Sequence, residues 1–396
     1  MDEIRIGVAG LGSRGRHWLS LLQRIPGFRV TAICDLVSRL RERARAHLDD
    51  PDGVAVHGTY DDLLADRNVD AVALCVRCKE QGAMAAQALE AGKHVNSEVP
   101  AAHTLEDCWR IVVAQERSGL VYHLAEQARY WGFVDAWKQL VAEDRLGHVT
   151  YADGEYFGYY PGLFYRNPDT GEYYDLQGAE PVRLHPEFRP AWLTLMPPIH
   201  YLPHNLSPLM KMLDDRVVEV VGMGTRSPSY RHREVPAPDV QVALMKTSKD
   251  CVLRLAAGFT QPVPAYHVQW FRLKGTRGIV QMRFSPREYP KMYLADAQMH
   301  EFAEVDWRLE RADAAPEAAG TGHGNADYYV HAYFRDAVLK GQPLDLDVYR
   351  AVETAAPAIL AAESIEQRST LLSVPDFRPN RNRPAGHMPA DVYSGV

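Results

Sequence analysis

The chain has 396 residues, 46% of them hydrophobic and 24% charged, with a formal net charge of -7. That length suits two domains rather than one small core, and the acidic balance offers no field for nucleic acid. No apolar run approaches the ~20 residues of a membrane span, and Met1-Asp2-Glu3 opens neither a signal peptide nor a twin-arginine leader, so a cytoplasmic protein is expected.

Ile4-Arg5-Ile6-Gly7-Val8-Ala9 is a short apolar strand that runs into Gly10-Leu11-Gly12-Ser13-Arg14-Gly15. In such a G-x-G-x-x-G turn the first glycine permits a tight reversal, the second lets backbone approach a pyrophosphate, and the third lets helix pack on strand. A helix over 13–24 would aim its first amides at those phosphates. The β-branched run 30–34 ends in Asp35, about 20 residues past the glycines, where a carboxylate accepts hydrogen bonds from a ribose diol. The same charge repels a 2′-phosphate, so NAD is expected rather than NADP, with Arg39 and Arg41 on a solvated helix face.

Residues 69–76 form an apolar run suited to a strand buried on both faces. An alanine-rich helix over 80–92 follows, stopped by Gly92, then a strand over 93–97 broken by Glu98-Val99-Pro100. Thr104-x-x-Asp107 opens another helix in the manner of a capping box, and 120–124 supplies the last strand of a doubly wound parallel sheet. Ligands of such sheets lie beyond the carboxyl ends of the strands, near Val76, Glu98 and Glu126.

Beyond residue 148 the pattern becomes that of an α+β domain on a large, mostly antiparallel open sheet. Strand-like runs occur at 149–160, 217–222, 240–246, 252–259, 268–274 and 278–284, with helices at 203–213 and 325–339. Residues 161–198 are rich in proline and tyrosine and poorly periodic, a long loop of the functional kind. The expected division is a Rossmann domain at 1–126, a substrate-binding and oligomerisation domain at 127–374, and an extended proline-bearing tail at 375–396. Five scattered cysteines suggest no disulfide framework, and Cys75-x-x-Cys78 lacks a second pair at zinc spacing, so no metal is expected.

The turn at 10–15, then Ala91-Gly92-Lys93-His94-Val95-x-x-Glu98-x-Pro100, then an open-sheet second domain, resembles the Gfo/Idh/MocA oxidoreductases over nearly the whole chain. Most members of that family carry Glu-Lys-Pro, whose lysine helps bind and activate the substrate hydroxyl; here the position is Val99, which can neither donate, accept nor carry charge. Glu98-Val99-Pro100-Ala101-Ala102-x-Thr104, Glu126-Gln127-x-x-Tyr130, Gly154-Glu155-Tyr156 and Tyr201-x-x-His204-x-Leu206-x-Pro208 look like the NAD-dependent glycoside hydrolase branch, which includes α-N-acetylgalactosaminidases. Gly324, Asp327 and the 341–349 stretch fit that branch as well. Gln127 stands where asparagine is usual, and Asn205 and Ser207 replace glycines.

The resemblance implies NAD as cofactor and Glu126, Tyr156, Tyr201 and His204 at active-site positions. Expected cofactor contacts are Gly10, Leu11, Gly12, Ser13, Arg14, Gly15, Asp35, Val76, Glu98 and Gln127. It implies cleavage of a small glycoside by transient oxidation at C3, elimination, water addition and re-reduction, without the paired carboxylates of ordinary glycosidases. In that scheme His204 takes the hydroxyl proton, Tyr201 or Tyr156 is the C2 base, and Glu126 serves at the leaving group or the water. Arg129, Arg166, Arg183 and Arg189 are candidates for an anionic sugar, and His200 and His323 are further histidines near the site. Association as a homodimer or homotetramer is implied by resemblance only. A conventional sugar or cyclitol dehydrogenase is the alternative, and a non-catalytic nucleotide sensor a third.

Overall fold

The computed structural model describes residues 2–178, 180–264 and 267–390. In the first domain, strands β1 (Ile4–Ala9), β2 (Phe28–Cys34), β3 (Ala55–His57), β4 (Ala71–Leu74), β5 (His94–Ser97) and β6 (Tyr122–Leu124) form one parallel sheet in the order β3-β2-β1-β4-β5-β6. Helices α1 (Ser13–Arg24), α2 (Ser38–Arg45), α3 (Tyr60–Ala65), α4 (Cys78–Glu90) and α5 (Leu105–Ser118) link these strands. Strand β4 is apolar on both faces, and β1 is apolar except for Arg5, which pairs with Asp70, because helices cover both sides. Order reverses between β1 and β4, so the crevice for a ligand opens at their carboxyl ends, above the glycine turn.

The second domain begins with α6 (Gly132–Ala142) and β7 (Val149–Phe157). The segment expected as a loop holds the two-residue strands β8 (Tyr165–Arg166), β9 (Tyr173–Tyr174) and β10 (Arg189–Pro190), joined in a small sheet, and the short helix α7 (Trp192–Leu195). Strands this short cannot show a period-two pattern, which is why the sequence gives no sign of them. They pack on their own apolar cluster, in which Phe164, Tyr165, Leu193 and Met196 meet Tyr201 and Phe259.

After α8 (Pro203–Leu213) come β11 (Val217–Gly224), β12 (Gln241–Thr247), β13 (Val252–Gly258), β14 (Gln269–Gly275), β15 (Gly278–Gln281), β16 (Lys291–Leu294) and β17 (Ala303–Glu304). Together with β7 and a late strand, β18 (Leu372–Ser373), they make a nine-stranded sheet in the order β17-β16-β15-β14-β7-β13-β12-β11-β18. All pairs are antiparallel except β7 with β13.

Helices α9 (Ala326–Lys340) and α10 (Val348–Glu366) return to the parallel sheet. Phe334 of α9 stacks on Phe28 of β2 at 6.4 Å, and His331 is hydrogen-bonded to Asn96 of β5 at 3.0 Å. α10 lies between α5 and β11, joining the two domains. The longest helix among the described residues, α10 has no counterpart among the elements that the sequence pattern announces. It is alanine-rich, buried on nearly every side and carries Pro357, so it has neither an amphipathic stripe nor a clean propensity signal.

The tail is irregular through residue 390, and residues 391–396 lie outside the described residues. Its described part docks on α5. Phe377 is buried against Trp109 at 4.4 Å, and Arg383 pairs with Glu116 at 2.9 Å, both side chains being nearly inaccessible. Among the described residues no helix is long and apolar enough to cross a membrane. A buried ion pair is costly to break from one side, because the remaining charge stays desolvated. Arg383→Ala is therefore predicted to destabilise the fold by roughly 3 kcal/mol, measured as a lowered urea midpoint, whereas Arg381→Ala should leave that midpoint unchanged.

Candidate active site

The glycine turn has the geometry that its residue types suggest. Gly10 has φ +86°, and a Cβ there would lie 2.3 Å from the Cys75 carbonyl oxygen; one at Gly15 would lie 1.7 Å from that of Gly10. Gly12 faces open space, with nothing within 4 Å of a Cβ, so the start of α1 at Ser13 is clear for a close phosphate. Asp35 accepts hydrogen bonds from the Leu11 and Val37 amides, both at 2.8 Å, which fixes its carboxylate at the end of β2. Val76, half-buried, follows β4 on the same edge. Two buried polar atoms there, Glu98 Oε2 and Gln127 Nε2, have no partner among the described residues. A clear backbone cradle, a fixed ribose acceptor and unpaired polar atoms fit a dinucleotide.

Arg14 stands apart from the other expected cofactor contacts. Its guanidinium binds Glu98 at 3.0 Å and both oxygens of Asp327, at 2.9 and 3.1 Å. Asp327, at the start of α9 and 1% exposed, also holds His17 at 2.9 Å and His323 at 3.0 Å. Burial opposes its charge, but these partners outweigh it and hold the carboxyl far below the usual range. The Glu98 carboxyl is raised, mainly by burial, with Arg14 acting against the rise.

The candidate catalytic side chains converge from both domains. Glu126, following β6, is fully buried; one oxygen accepts from the Ala128 amide at 2.9 Å and the other lies 2.7 Å from His204 Nδ1. This second contact is a short ion pair outside ideal hydrogen-bond alignment. His204 sits in the first turn of α8, behind Pro203. The close crossing of β7 and α8 brings Tyr156 to it: a Cβ at Gly154 would lie 3.0 Å from Asn205 Cβ, so glycine there eases the approach of strand and helix. Tyr156, two residues on and so on the same face, meets the imidazole edge-on at 5.2 Å. The Tyr201 ring lies nearly parallel to it at 6.5 Å. Phe259 wedges against both phenol rings, at 5.2 and 5.0 Å, and Trp192 closes on Tyr201 at 5.5 Å.

Burial dominates the phenols, pushing both Tyr156 and Tyr201 well above the ordinary tyrosine range. His204 differs. Burial lowers its proton affinity, yet the Glu126 carboxylate and then Glu98 outweigh that, and the net shift is upward. With Nδ1 turned to Glu126, the free ring nitrogen is Nε2. Glu126 thus orients the imidazole and raises its proton affinity, with one oxygen on the Ala128 amide and the other beside His204 Nδ1.

Other candidates lie elsewhere. Arg129 is buried and bound to Asp345 at 2.8 Å, and Arg183 is exposed beside Glu234 at 3.8 Å. Arg189 is exposed and turned toward the Phe188 carbonyl at 3.2 Å. Arg41 caps the Asp35 carbonyl, and Arg39 pairs with Glu172 at 3.3 Å. His200 is buried and stacks on His103 at 4.7 Å, where burial pushes its proton affinity down to about 3, so it does not compete with His204. All five cysteines are free. Cys78, read only as half of a C-x-x-C, lies 3.7 Å from the Tyr201 hydroxyl; nothing in its sequence context announces that contact.

A family model described as an oxidoreductase family with an NAD-binding Rossmann fold matches residues 4–126. Another, the glycosyl hydrolase 109 C-terminal domain, matches residues 204–382. The chain thus combines a Gfo/Idh/MocA-type NAD-binding domain with a C-terminal domain of the glycosyl hydrolase 109 type. A glycosyl hydrolase family 109 protein of Saccharopolyspora erythraea is 27% identical over 96% of this chain and 84% of its own. One of Phocaeicola vulgatus is 27% identical over 94% of each. Among solved structures, an oxidoreductase domain protein from Kribbella flavida superposes with a TM-score of 0.74 at 17% identity, covering 95% of this chain and all of that one. An Agrobacterium radiobacter oxidoreductase crystallised with NAD+, L-tartaric acid and magnesium gives 0.70 at 14%, covering 94% and 98%. At such identities these structures establish the fold alone.

The His204–Glu126 pair generates a pH prediction. Glu126→Gln removes the nearer carboxylate, leaving Glu98, Arg14 and the two phenols around the imidazole, so His204 holds its proton less tightly. The acid limb of the rate profile should move to lower pH. Unchanged position of that limb would detach His204 from Glu126.

Proposed function

We propose that this protein is an NAD-dependent glycoside hydrolase that cleaves a small glycoside by oxidation at C3, elimination, water addition and re-reduction. The observation that carries the reading is one cluster: a carboxylate-paired imidazole beside two phenols, Tyr201 buried and Tyr156 half-buried, at the carboxyl edge of the parallel sheet, with Val99 where a hydroxyl-activating lysine is expected. Its C-terminal domain match to glycosyl hydrolase 109 supports the same choice.

The chemistry that NAD supplies when bound is reversible hydride acceptance from a carbinol carbon. Glu98 and Gln127, with their unpaired buried atoms, and the amides at the start of α1 are the groups that would hold it. His204 Nε2 takes the hydroxyl proton, and the resulting imidazolium, stabilised by Glu126, places a positive charge beside both phenols. That charge offsets the burial that otherwise keeps them protonated, so one tyrosine, once its own phenol proton has passed to solvent, takes the proton of C2 as a tyrosinate, that proton being acidified by the neighbouring ketone. The other phenol remains a hydrogen-bond donor for the departing or incoming oxygen. Trp192, Phe259 and Tyr160 form the apolar wall around these rings and limit the site to a small sugar.

The test uses aryl glycosides in deuterated water with purified protein and NAD+. Aglycone release, deuterium at C2 of the product and no net NADH are expected. Stoichiometric NADH without aglycone would instead establish a dehydrogenase. His204→Ala should lower turnover by about 10²–10⁴. Tyr201→Phe is expected to retain NAD and lose deuterium incorporation; if incorporation persists, Tyr156 is the base.

Self-association belongs to the same proposal. Leu244 of β12 and Val252 of β13 alternate with the buried residues Ala243, Met245 and Leu253, so they point away from α8 and α10, and both are exposed. A second copy laid on that face would cover them. Leu244→Arg is predicted to lower the mass measured by light scattering toward that of one chain.

A further inference from the structure

Residues 161–198 touch the first domain at two separated places. At one, the turn between β8 and β9 lies on α2: Glu172 faces Arg39 at 3.3 Å and Arg43 at 3.6 Å. A Cβ at Gly171 would lie 3.0 Å from Leu40. At the other, Trp192 and Met196 share a small cavity with Cys78 and Lys79 at the start of α4. α2 follows β2, α4 follows β4, and β1 lies between those strands in the sheet. The two contacts therefore flank the glycine turn at the end of β1, with the β8–β9 turn on its α2 side.

The tip of this bridge is ordered by its own hydrogen bonds. The Asn167 carbonyl accepts from the Gly171 amide at 2.9 Å, its side chain from Asp169 and Thr170, and its amide donates to the Glu172 carbonyl at 2.8 Å. On β8 the side chains alternate. Tyr165 points into the local apolar cluster and donates to the Glu234 carbonyl. Arg166 points the other way, its Nη2 3.1 Å from a Cβ built on Gly171, next to Leu40 of α2. Its Nε is buried without a partner, and no carboxylate among the described residues pairs with it. A buried guanidinium nitrogen without a partner, on the α2 side of the glycine turn, is one that an anionic ligand would match.

We propose that residues 165–174 are a strap that closes over the bound dinucleotide, latched by Glu172 between Arg39 and Arg43, with Arg166 as a further contact to the anionic part of the cofactor. The strap keeps NAD in place between turnovers. The inference rests on the NAD site and not on the sugar chemistry, so cofactor release tests it separately from glycoside cleavage.

The experiment loads the purified full-length protein with NAD and follows its release after dilution with an enzymatic assay for free NAD. Glu172→Lys places three cations together on an exposed surface. At about 1.4 kcal/mol for two lost pairs and the added repulsion, release should be roughly tenfold faster, with the melting temperature of the NAD-free protein unchanged. Glu172→Lys combined with Arg39→Glu and Arg43→Glu restores the opposite charges and should restore slow release. Arg166→Ala should also speed release, and Arg166→Lys less so. The latch is overturned if release from Glu172→Lys matches the unaltered protein or if the charge swap fails to restore it. Arg166 leaves the site if its alanine variant releases NAD at the original rate.

Discussion

One carboxylate, Asp327, holds the two halves of the molecule in working order. It is buried at the start of α9 and takes both ends of the Arg14 guanidinium. Arg14 in turn reaches Glu98. Glycine turn, Glu98-Val99-Pro100 turn and C-terminal helix are thereby tied at one point. A guanidinium fits because it offers several donors in a fixed plane and stays charged when desolvated. Here burial works against that charge, and the two carboxylates hold it.

This bridge shapes the electrostatics of the site beside it. Glu98 lies close enough to both Arg14 and His204 to be felt by each. Its charge is partly spent on Arg14, which leaves Glu126 as the stronger influence on the imidazole. The result is a gradient of proton affinity within a small volume, with phenols raised by burial and a histidine raised by a carboxylate. Groups separated in this way can exchange protons in a set order, which a row of identical acids could not.

The first domain was largely legible because each physical requirement there is local. A turn that must reverse tightly needs Gly10, a close helix packing needs Gly15, and a strand buried on both faces needs an unbroken apolar run such as 71–74. The second domain was legible in its strands, where alternation is strong, and the extents of β7, β11, β12, β13 and β14 depart from the periodicity by only a few residues. Elements governed by contacts distant in sequence were not. α10 is buried on all sides, so it carries no stripe; β8 to β10 are too short to alternate. At the site, the residue types of Tyr156, Tyr201, His204 and Glu126 were visible by resemblance, but their division of labour was not. Whether Glu126 faces a substrate or a histidine depends on where α8 lands against β6, and that is decided by Gly154, about fifty residues before Asn205.

Val99 makes sense in this setting. A lysine at that position would approach the crevice from the first domain, close to Arg14 and above the same carboxylate, Glu98. A second cation would then crowd a carboxylate that already holds Arg14, in a place where desolvation opposes charge. With valine, buried against the core, the first domain contributes the cofactor cradle and a bridged carboxylate, and the proton-handling imidazole comes from α8 in the second domain. Moving that group to the opposite wall has a consequence for geometry. In the proposed reaction the imidazole and the cofactor cradle face each other across the crevice, so activity would depend on the registry between domains that α10 maintains. Rigid coupling of the halves is thus a requirement of the chemistry, and the unusual investment of buried charge at their seam follows from it.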